Sequence, residues 1–125
     1  MNWLAIAIGG ALGAVSRYAV VAYLLPVTPH RFPWGTLLAN VLGCLLIGVL
    51  AVIIIEKQLL GPQWRLVLIT GFLGAFTTFS AFSLEVVQLW QLGHGLNALY
   101  YVVLSLVACL SATVLAIAIT LKLLS

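Results

Sequence analysis

The sequence predicts an all-α integral membrane protein with four spanning helices. Three observations carry that expectation. Hydrophobic residues fill 65% of the 125 positions and charged residues 6%, against about 25% charged in an ordinary soluble domain. The apolar residues gather into four runs, at about 3–25, 34–55, 64–90 and 96–121, each near or above the ~20 residues that cross a bilayer as a helix. Between the runs lie short stretches with Pro, Gly or charge: Pro26 to Pro33, Glu56 to Pro62, and Gln91 to Gly95. The whole chain reads as one four-helix domain with no separate soluble part. A soluble enzyme active site is therefore excluded. The net charge of +3 comes from Arg17, Arg31, Lys57, Arg65 and Lys122 against Glu56 and Glu85. Five scattered cations form no basic stripe, so nucleic acid is not an expected partner.

The first span carries Gly9, Gly10, Ala11, Gly13 and Ala14, a small-residue face suited to close helix packing. It lacks a basic stretch before its apolar run, so it is expected to stay in the membrane and not to be cleaved as a leader. Arg17 inside it is expected to face protein, water or an interface, since a cation at the centre of a span costs about 2.5–3.5 kcal/mol. It has two readings, a snorkelling anchor beside Tyr18 and Tyr23, or a vestibule or structural charge. His30 and Arg31 belong to the following loop, where His30 is expected to be solvated. In the second span Asn40 is the one strongly polar side chain, and an amide in hydrocarbon must be hydrogen-bonded. It is either a bond between helices or a donor lining a pathway, and residue chemistry leaves the two even.

The third span is the unusual one. Its centre reads Gly71-Phe72-Leu73-Gly74-Ala75-Phe76-Thr77-Thr78-Phe79-Ser80-Ala81-Phe82-Ser83. Adjacent β-branched hydroxyl residues make a poor helix interior because their side chains compete for backbone hydrogen bonds. We read a helix that breaks at mid-membrane, offering carbonyls to a cation from its first half and N–H groups to an anion from its second. Glu85 in the second half is either a functional carboxylate or a structural hydrogen-bond acceptor. His94, in the turn after this span, is expected to be exposed. In the fourth span Tyr101, Ser105 and Cys109 recur at intervals of four and share one face. That face is a hydroxyl track or a packing seam. Cys44 and Cys109 fall inside apolar spans and read as buried small residues, not as a disulfide.

Four spans put both termini on one side of the membrane. That side carries Lys57, Arg65 and Lys122, against Arg31, with Arg17 if it snorkels that way, on the other. So weak a bias permits insertion both ways. An antiparallel homodimer with its two-fold axis in the membrane plane follows, and a pathway is expected to need the second subunit.

Three segments resemble the Fluc (CrcB-type) fluoride channel family. Gly9 to Tyr18 resembles its GGxxGxxxR opening, Gly35 to Gly43 its GTLxxNxxG segment, and Gly71 to Ser83 its GxxGxxTTFSTFS signature. The resemblance covers nearly the whole chain. It implies a fluoride-selective channel of the cell inner membrane that gives passive export and resistance to fluoride, as a dual-topology homodimer with two pores. It also implies a central structural sodium ion on the backbone carbonyls of Gly74 and Thr77. Carried over residue by residue, the fluoride pathway would use Asn40, Phe79, Ser80, Phe82, Tyr101, Ser105 and Thr113. The chain departs from the family pattern at Leu73, Ala75 and Ala81, and at Cys109, where a serine is usual. Carbonyl ligands survive a Gly-to-Ala change where the backbone permits, whereas Cys109 weakens one donor of the track. The alternative of similar size is a small multidrug-type proton-coupled exporter. Such an exporter needs a carboxylate in its first span, and here that span has Arg17 and none.

Overall fold

The computed structural model describes residues 1–24 and 32–125. Among the described residues all regular structure is helical, with no strand, and four segments are long and apolar enough to cross a membrane: Asn2–Tyr23, Trp34–Glu56, Pro62–Gln91 and Gly95–Leu123. We name the first two α1 and α2. The third divides into α3 (62–76) and α4 (Ser80–Gln91), and the last is α5 (Gly95–Leu123). The expected loop with His30 and Arg31 lies largely outside the described residues.

Local chemistry explains the boundaries. Pro62 sits in the first turn of α3, where its missing N–H costs nothing. Gly93 ends α4 in the left-handed conformation at φ +84. The His94 N–H then reaches back to the Leu89 carbonyl at 2.8 Å and the Gly93 N–H to that of Trp90 at 3.1 Å. That pair of bonds is the Schellman arrangement, and it satisfies two carbonyls that the helix end would orphan. It also draws His94 inward: the residue is half-buried, not exposed as the sequence suggested. Between α3 and α4, Thr77 is extended, with φ −90 and ψ 158, and helix resumes at Ser80.

The helices pair through small residues. A Cβ built on Gly13 of α1 would collide with the Phe72 carbonyl of α3, and one on Gly9 with the carbonyl of Val67. Gly71 answers from α3, its missing side chain facing the Gly10 nitrogen and the Ile6 carbonyl. Backbone therefore touches backbone across α1 and α3, which only glycine allows. On the other side α2 meets α5, where Gly48 leaves room for Ala116 and for the carbonyl of Thr113. Two small cores result, one of Leu37, Phe82, Leu89, Ala98 and Tyr101, the other of Ala39, Leu73 and Phe76. At most 28% of any span's most apolar stretch is buried. Leu12, Val15, Val107, Leu110 and Val114 all face outward, a surface for lipid or a second chain.

The crossing of α1 and α3 gives a direct test. Gly13→Ala should destabilise the protein by about 1–3 kcal/mol, the usual cost of overpacking. Gly61, whose added Cβ would meet nothing within 4 Å, should accept Ala within about 0.5 kcal/mol. Denaturation midpoints in detergent decide it, and equal midpoints would refute a tight crossing.

Candidate functional site

The site is built where the helical hydrogen bonding of the third span stops. The Asn40 amide, on α2, faces that interruption and grips the backbone of a single residue by two bonds. Its Nδ2 donates to the Thr78 carbonyl at 3.0 Å, and its Oδ1 accepts from the Thr78 N–H at 2.8 Å. Because one donor and one acceptor of the backbone are matched together, the amide can point only one way. The second Nδ2 hydrogen stays uncommitted.

This grip redirects the local backbone. A continuous helix would send the Thr78 N–H to the Gly74 carbonyl, four residues back; it goes to Asn40 instead. The Ala81 N–H would likewise reach Thr77, but it donates to Thr78 Oγ1 at 3.0 Å, a side-chain cap on the start of α4. The carbonyls of Gly74 and Thr77 thus lose their helical donors together. The neighbouring Ala75 carbonyl accepts from Arg17 Nε at 3.1 Å, a cation at the carbonyl end of a helical segment. Ser80 is exposed, and its hydroxyl lies 3.2 Å from that of Thr78.

Glu85 joins three helices. Its Oε2 accepts from Thr36 on α2 at 2.8 Å and its Oε1 from the Tyr101 hydroxyl on α5 at 2.9 Å. Tyr101 is wholly buried, and its ring meets Phe82 edge-on, with centroids 4.9 Å apart. The two phenylalanines differ sharply in setting. Phe82 is 9% exposed and Phe79 is 77% exposed, although their rings lie only 5.4 Å apart.

A cavity of about 400 Å³ opens beside this interruption. Of the residues singled out in the sequence, it brings together Asn40, Gly74, Thr77, Phe79, Phe82 and Ser105. Tyr101, Ser80, Thr113, Arg17 and Glu85 lie outside its lining. Thr113 spends its hydroxyl on the carbonyls of Cys44 and Cys109, each 3.2 Å away. Ser105 differs from the other buried hydroxyls: it is 7% exposed, and among the described residues its Oγ has no partner. Among the described residues, no charged side chain lines the cavity. Three participants were missed by sequence reasoning: Thr36, Thr78 as a cap, and Cys44. Thr36, Asn40 and Cys44 recur at intervals of four on α2, mirroring the Tyr101, Ser105, Cys109 row of α5, and that spacing was the available signal.

The arrangement offers an amide, hydroxyls, two thiols, aromatic side chains and freed carbonyls around the cavity. Comparison with known proteins agrees with its overall character. Residues 4–117 match the family model described as CrcB-like protein, Camphor Resistance (CrcB). A Saccharophagus degradans protein named fluoride-specific ion channel FluC is 54% identical over 121 residues, covering 97% of this chain and 90% of its own. Proteins of the same name from Hahella chejuensis and Rhizobium etli are 48% and 44% identical, with over nine-tenths of each chain covered. With so long a match and relatives this similar, the chain belongs to the CrcB family.

Proposed function

We propose that this chain is a fluoride-selective anion channel giving passive fluoride export, and hence resistance to fluoride, from a cell inner membrane. The relatives' name supplies the ion, and the buried, unpartnered Ser105 hydroxyl carries the reading here. Burying an unsatisfied hydroxyl costs about 1–3 kcal/mol, which a permeating anion would recover by accepting its hydrogen bond. Fluoride is small and strongly hydrated, so a pore must replace its water with close donors. Ser105 offers its O–H and Asn40 its uncommitted N–H, while Phe79 and Phe82 present ring edges of partial positive charge. A cavity without a cation does not trap the ion, and a narrow lining of weak donors discriminates by size. Acid outside carries HF through lipid, and the ion formed inside leaves by this passive route.

The working unit in this reading is an antiparallel dimer with two pores. The exposed Gly74 and Phe79 and the outward apolar faces are surfaces for a second copy, and Phe79 would serve a pore that its own chain only partly lines. Tyr101, Ser80 and Thr113 would act as further stations or as supports along the route. The freed carbonyls of Gly74 and Thr77 suit a structural sodium ion, being neutral oxygens in a dry setting. Bound between the two chains, that ion would supply positive charge to offset anions in a low-dielectric interior. A proton-coupled multidrug exporter is not favoured: α1 has no carboxylate, and both oxygens of Glu85 are occupied.

Three outcomes test this. Proteoliposomes should release fluoride, read by an ion-selective electrode, and retain chloride; comparable chloride release would overturn the selectivity. Ser105→Ala should slow fluoride by roughly 10–100-fold, the equivalent of losing a hydrogen bond of about 1.5–3 kcal/mol to a charged group. The same change should leave stability unaltered or raised, because it deletes an unpaired hydroxyl. Undiminished flux would return Ser105 to a packing seam. Finally, exchange of sodium for N-methylglucamine should slowly abolish efflux, and sodium should restore it. Activity that survives full exchange counts against the ion.

A further inference from the structure

Cys44 on α2 and Cys109 on α5 are the chain's two cysteines, and the conduction reading uses neither thiol. Both are free and half-buried, and both line the cavity that Asn40 and Ser105 line. The two side chains are neighbours across the contact of α2 and α5. The backbone fixes this register independently. The Thr113 hydroxyl stands 3.2 Å from the carbonyl oxygens of both cysteines, which sets them at one height on facing helices. One turn further along, Gly48 meets Ala116 and keeps the two helices close.

Two neighbouring thiols form a two-donor set. Among the described residues, no group of three or more His, Cys, Asp or Glu gathers in one place. Zinc in proteins takes four ligands, and calcium takes six or more oxygens. Thiolates favour soft ions, and a linear, two-coordinate d¹⁰ ion needs only this pair. Charge narrows the choice further. Two thiolates neutralise a divalent ion, whereas a monovalent ion would leave a net negative charge in an apolar interior, where unpaired charge is costly. We propose that Cys44 and Cys109 form a two-coordinate dithiolate site for a soft divalent cation of the mercury(II) class, and that the bound ion obstructs the cavity one helical turn from Ser105.

Mercuric chloride suits the site because it is uncharged and enters apolar surroundings intact. Each of the two S–H bonds is replaced by an S–Hg bond, both Hg–Cl bonds break, and two HCl leave; nothing is oxidised or reduced. The obstruction rests on the channel reading, but the binding does not.

The test uses the full-length protein in detergent and in proteoliposomes, with mercuric chloride as probe. Elemental analysis should find one mercury per chain, with both thiols withdrawn from a thiol reagent. Fluoride efflux, scaled to each protein's own untreated rate, should be blocked and then restored by a dithiol. Cys44→Ala and Cys109→Ser should each raise the half-blocking concentration by roughly 100-fold, since the second bond is formed at high effective concentration. Two mercury ions per chain, one thiol left reactive, or unchanged half-block in either variant would overturn the shared site. Mercury held by both thiols without slowing an active channel would overturn the obstruction. One mercury on both thiols of a protein that never releases fluoride would uphold the site and count against the channel.

Discussion

The Asn40 amide and the backbone N–H and C=O of Thr78 form a two-point pair on which the rest of the site depends. A backbone N–H and C=O that leave a helix inside hydrocarbon have no water to turn to, and each costs several kcal/mol if unpaired. Asn40 supplies an acceptor and a donor in one plane at 2.8 and 3.0 Å. A carboxylate in its place has no donor and could not satisfy both. Once the Thr78 N–H is committed there, the Gly74 carbonyl is released. With Thr78 out of helical register, its side chain is placed to cap α4 through the Ala81 N–H. The interruption therefore yields two useful ends at the cost of one polar side chain on a neighbouring helix.

The surrounding charges are placed so that the cavity itself stays neutral. Arg17 is drawn to the Ala75 carbonyl, where the ends of helical peptide dipoles favour a cation. Glu85 is saturated by Thr36 and Tyr101, which ties α2, α4 and α5 together behind the cavity. Among the described residues, what lines the space is uncharged: Asn40, small hydroxyl and thiol residues, Phe79 and Phe82, and apolar side chains. A full positive charge there would hold an anion too tightly for passage, and a negative one would exclude it.

The scaffold that permits this is made largely of absences of side chain. Gly13 and Gly71 let α1 and α3 approach to backbone contact, and Gly48 does the same for α2 and α5. In a bilayer, apolar contact between helices gains little over contact with lipid, so close packing and polar bonds must carry association. The two small cores and the few bonds between helices are what such a solvent leaves available.

Much of this was legible in the chain itself. Composition and run length determined four membrane-crossing helices, because the bilayer fixes both polarity and span. The glycines of α1 announced a close-packed face, and the Thr77-Thr78 pair marked where helix would be least stable. The motifs carried the family. The sequence left Asn40 and Glu85 each with two readings, since a polar residue in a span declares that it needs a partner without saying which. It expected His94 to be exposed, although the turn that buries it is made by backbone bonds that any residue could form. Tertiary structure alone decided that Asn40 holds Thr78, that Thr36 and Tyr101 share Glu85, that Ser105 is left unpaired, and that Cys44 stands against Cys109. The three pairings join residues from different helices, some of them far apart in the chain. Spacing along one helix fixes which face a residue occupies, and only the crossing of a second helix fixes what that face meets.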